Sequence, residues 1–68
     1  MGIDFELLRQ KRMEYRLKLV DVARTLGLET ANAYWRIERG LTKLSAARMM
    51  KLCALFHLVP AELFRKNK

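Results

Sequence analysis

The sequence predicts an all-α domain of five short helices. Three observations lead there. Glycine and proline are scarce, 3 and 1 among 68 residues, too few for the turns of a β fold. Apolar residues recur at intervals of three and four rather than two. Residues that start helices (Asp4, Thr30, Ser45) alternate with residues that stop them (Gly27, Gly40). The length, 1–68, is that of one domain. A chain so short buries only about 60% of its unfolded surface. Hydrophobic residues make up 51%, enough for a core without staples. The single cysteine excludes an internal disulfide. One cysteine and one histidine cannot supply the ligands of a zinc site.

Asp4 can cap the first helix, and Glu6 suits its positive end. Phe5, Leu8, Arg12 and Tyr15 fall at i, i+3, i+7 and i+10, one helix face. An arginine in that row needs a carboxylate partner if it is buried, and Glu38 is the candidate. The alternative is a side chain that runs past Leu8 to water. Arg9, Lys11 and Arg16 lie off the row and are expected in solvent. Residues 16–18 lead into helix 2, 19–26, where Asp21 can accept the Lys18 backbone N–H. Gly27 stops it in a conformation that only glycine adopts freely. Ala23 lets the next helix approach closely, and Leu28 plugs the turn into the core. Thr30 caps helix 3, 31–39. Ala33, Tyr34 and Ile37 point inward, which leaves Ala31, Asn32, Trp35, Arg36 and Arg39 outside. Gly40 ends the helix, and a loop over 41–44 carries Lys43. Ser45 caps helix 4, 46–56, where Met49, Leu52, Cys53 and Phe56 form a core stripe. Cys53 reads as a small buried hydrophobe. His57 falls at the negative end of helix 4. Pro60 suits the first position of a last helix ending near Phe64. Leu58, Leu63 and Phe64 are expected to close the core, ahead of a basic tail over 65–68.

Lys and Arg number 14 against 7 Asp and Glu, a net charge of +7. Such an excess favours nucleic acid, an anionic membrane surface or an acidic protein over mere solvation of helix faces. No apolar run approaches the ~18 residues of a membrane span. The acidic residues near the start do not suit a signal peptide, and Glu6 stands where myristoylation needs Ser or Thr. Cytoplasmic residence is the expectation. There is no nucleophile–base set, metal cluster or phosphate-cradling glycine loop, so neither enzyme activity nor a cofactor or metal is expected.

The ordered pieces carry a resemblance. L-L-R-x-K-R in helix 1 is followed by V-A-x-x-L-G-L across the first turn. Next come I-E-R-G, L-S-x-x-R-M-M-K-L-C-x-L-F and L-V-P-A-E-L-F. Over about residues 5–64 the chain resembles the lambda-repressor/Cro-type (XRE-like) helix-turn-helix family. The resemblance implies a helix-turn-helix over 19–39, with helix 3 entering the major groove N-terminus first. Ala31, Asn32 and Arg36 match the positions that read base edges, flanked by Thr30 and Trp35. Arginine can bond guanine O6 and N7, asparagine can pair with adenine, and alanine can touch a thymine methyl. Lys18, Arg39 and Lys43 match phosphate-contacting positions, and Arg12 with Glu38 matches the family's core ion pair. Such proteins pair two-fold, with recognition helices roughly 34 Å apart. Leu44, Val59 and Pro60 are the candidates for that contact, although they could equally complete the core. Departures from the pattern include Leu19 where glutamine is common and one extra residue between Gly27 and Ile37. Trp35 is unusual on a recognition face. It either packs over the helix 3–loop seam beside Leu41 or meets thymine methyls and sugars.

The function expected is that of a sequence-specific double-stranded DNA-binding transcriptional regulator, a repressor acting as a homodimer on a palindromic operator. The competing reading is a basic helical interaction module that binds an acidic protein through Trp35 and the basic face, since tryptophan and arginine are common hot-spot residues.

Overall fold

A computed structural model describes residues 2–64; the basic tail over 65–68 lies outside the described residues. Its helices are α1 (Phe5–Glu14), α2 (Leu19–Thr25), α3 (Ala31–Glu38), α4 (Ala46–Phe56) and α5 (Pro60–Leu63). No strand forms among the described residues. An isolated antiparallel bridge joins Ile3 to Phe64, and the Asp4 N–H donates to the Leu63 carbonyl at 2.6 Å. Residues 3–4 are thereby joined to 63–64, beside α1 and α5.

The starts follow from side-chain chemistry. Asp4, Thr30 and Ser45 each accept from the backbone N–H three residues on, at 3.2 Å. Each satisfies a donor that the first helical turn leaves without a partner. For α2 and α5 the cap runs the other way. Asp21 and Glu62 accept the N–H of Lys18 and Val59, each at 2.9 Å.

The stops share one geometry. Arg16, Gly27, Gly40 and His57 all adopt positive φ, at 57°, 79°, 76° and 56°. Behind each comes a leucine whose N–H reaches back into the helix. Leu17 donates to Arg12, Leu28 to Ala23, Leu41 to Arg36 and Leu58 to Cys53, at 2.8–3.0 Å. This is the six-to-one closure of a Schellman motif, used four times. Two of the left-handed residues are not glycine, so each carries a Cβ penalty.

Leu8, Val22, Ala23, Leu26, Tyr34, Ile37, Leu52, Cys53, Phe56, Leu58 and Leu63 form the buried core. α3 packs chiefly on α2 and also touches α1, while α5 touches α1 and α4. Three expectations need correction. Tyr15 does not continue the helix face of Phe5, Leu8 and Arg12: α1 ends at Glu14, and Tyr15 is 37% exposed as its C-cap. Its ring instead lies beside Phe56 and edge-on to His57. Its hydroxyl donates to the Phe56 carbonyl at 3.3 Å, an acceptor left over at the end of α4. Phe64 does not close the core either, since α5 stops at Leu63 and Phe64 turns into the bridge with Ile3. Ala33 is half-buried rather than fully inward. Among the described residues no helix is long and apolar enough to cross a membrane.

Candidate functional site

α3 is held from two sides. Its start is fixed by the turn from α2, where Gly27 reverses the chain and Leu28 packs against the core. Its end is fixed by Arg12 of α1. The Arg12 Nε and Nη2 donate to Glu38 Oε2 and Oε1 at 2.9 and 3.0 Å, a two-pronged ion pair. A third donor, Nη1, reaches the Leu17 carbonyl at 3.3 Å. The side chains are 14% and 3% exposed. The guanidinium therefore joins α1, the first connection and the last turn of α3. Its hydrogen bond to Glu38 raises the Arg12 pKa further above its ordinary value, so the charge is permanent. The Tyr34 hydroxyl is buried near Glu38 but outside hydrogen-bonding geometry. Desolvation, then the Glu38 charge, push its pKa well up.

With that face committed, the other is free. Tyr34, Ile37 and Glu38 are buried, whereas Asn32, Trp35, Arg36 and Arg39 are exposed. The exposed four fall at i, i+3, i+4 and i+7, so they form one contiguous patch along α3. Within it the Arg39 guanidinium lies over the Trp35 ring, 5.3 Å from its centroid. Residue spacing offers a clue to this contact, because positions four apart on a helix are neighbours. Thr30 is exposed as the N-cap, and Ala31 is half-buried. Lys18 stands exposed at the N-cap of α2, and Lys43 is exposed in the loop after α3.

The charges are divided unequally. Six of the seven carboxylates have internal work. Asp4, Asp21 and Glu62 cap helices. Glu6 pairs with Arg9, Glu14 with Lys11 and Glu38 with Arg12. The basic side chains are mostly left over. Among the described residues Arg16, Lys18, Arg24, Arg36, Arg39, Lys43, Arg48 and Lys51 form no ion pair. Among the described residues the cations on and beside α3 are therefore left without an ion-pair partner.

The residues expected at a two-fold contact differ among themselves. Val59 is 58% exposed. Leu44 is partly buried against the core, and Pro60 is half-buried at the start of α5. Cys53 is buried, and loss of hydration pushes its thiol pKa up. Among the described residues no group of three His, Cys, Asp or Glu is placed to hold a metal ion. A shallow open cleft of about 230 Å³ lies between α1 and the end of α3, lined by Phe5, Glu6, Arg9, Glu38 and Arg39. Its two carboxylates are already paired with arginines. Comparison with protein-family models, with curated proteins and with solved structures finds no match for this chain.

Proposed function

We propose that this chain is a sequence-specific double-stranded DNA-binding regulator of transcription, of the lambda-repressor/Cro type, with α2 and α3 as its helix-turn-helix. One observation carries the reading. The outer face of α3 presents Asn32, Trp35, Arg36 and Arg39 together, and among the described residues no carboxylate pairs with its arginines. An α-helix, about 10–12 Å across with its side chains, fits a major groove about 12 Å wide. Arg36 can take guanine O6 and N7, and Asn32 can pair with adenine N6 and N7. Lys18, Arg39 and Lys43 would meet backbone phosphates, which supply affinity and salt dependence without sequence choice. In this reading the protein acts as a repressor and binds as a homodimer, with exposed Val59 at the contact.

Paired substitutions test the division of labour. Arg36→Ala should cost about 1–3 kcal/mol on the preferred site and relax the choice of one base pair. Lys43→Ala should weaken all sequences alike. Equal effects of both changes on preferred and random duplex count against the assignment. The Trp35–Arg39 stack also suits a protein hot spot. Failure to bind any duplex at low salt favours that second reading, a module for an acidic protein partner.

A further inference from the structure

We infer that Trp35 is a positioning residue for Arg39, and that the two form a preset clamp for one backbone phosphate of the duplex. The inference rests on the DNA-binding reading above and assigns Trp35 a role within it.

The exposed face of α3 has two rows. Asn32 and Arg36, four residues apart, make one; Trp35 and Arg39 make the other. The first row holds the groups suited to base edges. The second begins with a ring that has no base-specific hydrogen-bond code. Arg39 is the C-cap of α3, at the end away from the leading N-terminus, so it faces the groove wall rather than its floor. An arginine on an exposed helix end ordinarily samples many rotamers. Here its guanidinium lies 5.3 Å from the Trp35 centroid, within the range of cation–π attraction. The contact places the guanidinium over the ring and uses none of its N–H donors in an ion pair. Among the described residues no acceptor takes them. The nearby carboxylates do not compete. Glu6 is held by Arg9 at 2.6 Å and Glu38 by Arg12. A guanidinium held beside a ring, with its N–H donors unclaimed by a carboxylate, is matched to the oxygens of a phosphate.

The test uses a fluorescein-labelled random-sequence duplex of about 30 base pairs, long enough for many overlapping non-specific sites. Its anisotropy is titrated with wild type, Trp35→Phe, Trp35→Ala, Arg39→Ala and the Trp35→Ala/Arg39→Ala double variant. Salt is varied from about 50 to 200 mM, and circular dichroism melts check that every variant is folded. Arg39→Ala should reduce the slope of log affinity on log salt by about 1. Trp35→Ala should weaken binding about two- to fivefold, the strength of an exposed cation–π contact, and lower the slope in part. Trp35→Phe, which keeps a ring face, should restore most of both. The double variant should bind no more weakly than Arg39→Ala alone. A merely structural role for Trp35 would shift the melting temperature without moving the salt slope. Two results overturn the clamp while leaving the DNA reading intact. One is a Trp35→Ala loss that is undiminished when Arg39 is absent, which makes the ring an independent contact. The other is an Arg39→Ala loss with no effect of Trp35→Ala. Absence of wild-type binding at low salt overturns the DNA reading and the clamp together.

Discussion

The Arg12–Glu38 pair offers the most quantitative test of how α3 is held. Arg12→Met keeps most of the aliphatic stem and removes the guanidinium. Glu38 then loses donors at 2.9 and 3.0 Å, while its side chain stays 3% exposed. Leaving one partner of a buried pair alone costs about 3–5 kcal/mol. At roughly 0.05–0.15 kcal/mol per residue, a domain of this length has only about 3–10 kcal/mol in total. The single variant should therefore lose at least about a third of its stability at neutral pH. Arg12→Met/Glu38→Leu removes both charges and should recover to within about 1 kcal/mol of wild type, or exceed it. Urea unfolding followed by far-ultraviolet circular dichroism, read as a double-mutant cycle, measures the coupling. A loss below about 1 kcal/mol for Arg12→Met would show that water replaces the guanidinium, contrary to the burial argued here. A double variant as unstable as the single would place the cost in packing rather than in charge.

The four left-handed helix ends should respond in opposite directions. Arg16→Gly relieves a Cβ penalty of about 1–2 kcal/mol, offset in part by the entropy of a freer unfolded chain, for a net gain of about 0.5–1 kcal/mol; His57→Gly should gain less, because it also loses the edge contact with the Tyr15 ring. Gly27→Ala should lose about 1 kcal/mol from backbone strain alone, since nothing lies within 4 Å of the added Cβ. Gly40→Ala should lose more, because its Cβ would meet the Phe5 ring at 3.3 Å. Urea midpoints rank all four. Alkaline unfolding should show the buried phenol of Tyr34. Its folded pKa is raised above the unfolded value of about 10. The associated stability is whole below about pH 10 and is lost as pH rises beyond it. The phenolate absorbance of Tyr34 should appear only with loss of helix, and its appearance in a still-folded chain would contradict the burial.

Much of this architecture was legible in the residues. Thr30 and Ser45 announce helix starts because a short side-chain oxygen satisfies a free N–H. Gly27 and Gly40 announce stops because only glycine enters positive φ freely. The Arg12–Glu38 pair was legible for a different reason: an arginine in an apolar row demands a carboxylate. What escaped depends on contacts distant in sequence. Arg16 and His57 occupy left-handed turns that their residue types do not favour. The only local hint is the leucine behind each, Leu17 and Leu58, which closes the motif as Leu28 and Leu41 do. Tyr15 follows the helical spacing of Phe5 and Leu8 yet leaves that helix face, since α1 ends just before it and Phe56 offers its hydroxyl an acceptor. The helical part of the candidate site was legible from the period of α3. The stack of Arg39 on Trp35 was implicit in their spacing, but an equally good alternative packing for the ring concealed it.

The most direct test of the central claim is selection of bound duplexes from a random pool, run in parallel with wild type and Arg36→Ala. The account predicts a two-fold symmetric consensus for the wild type, with half-site centres about 10 base pairs apart. The Arg36→Ala consensus should lose one guanine per half-site and keep the rest. Recovery of unenriched sequence by the wild type, or of the same guanine by both proteins, would contradict it.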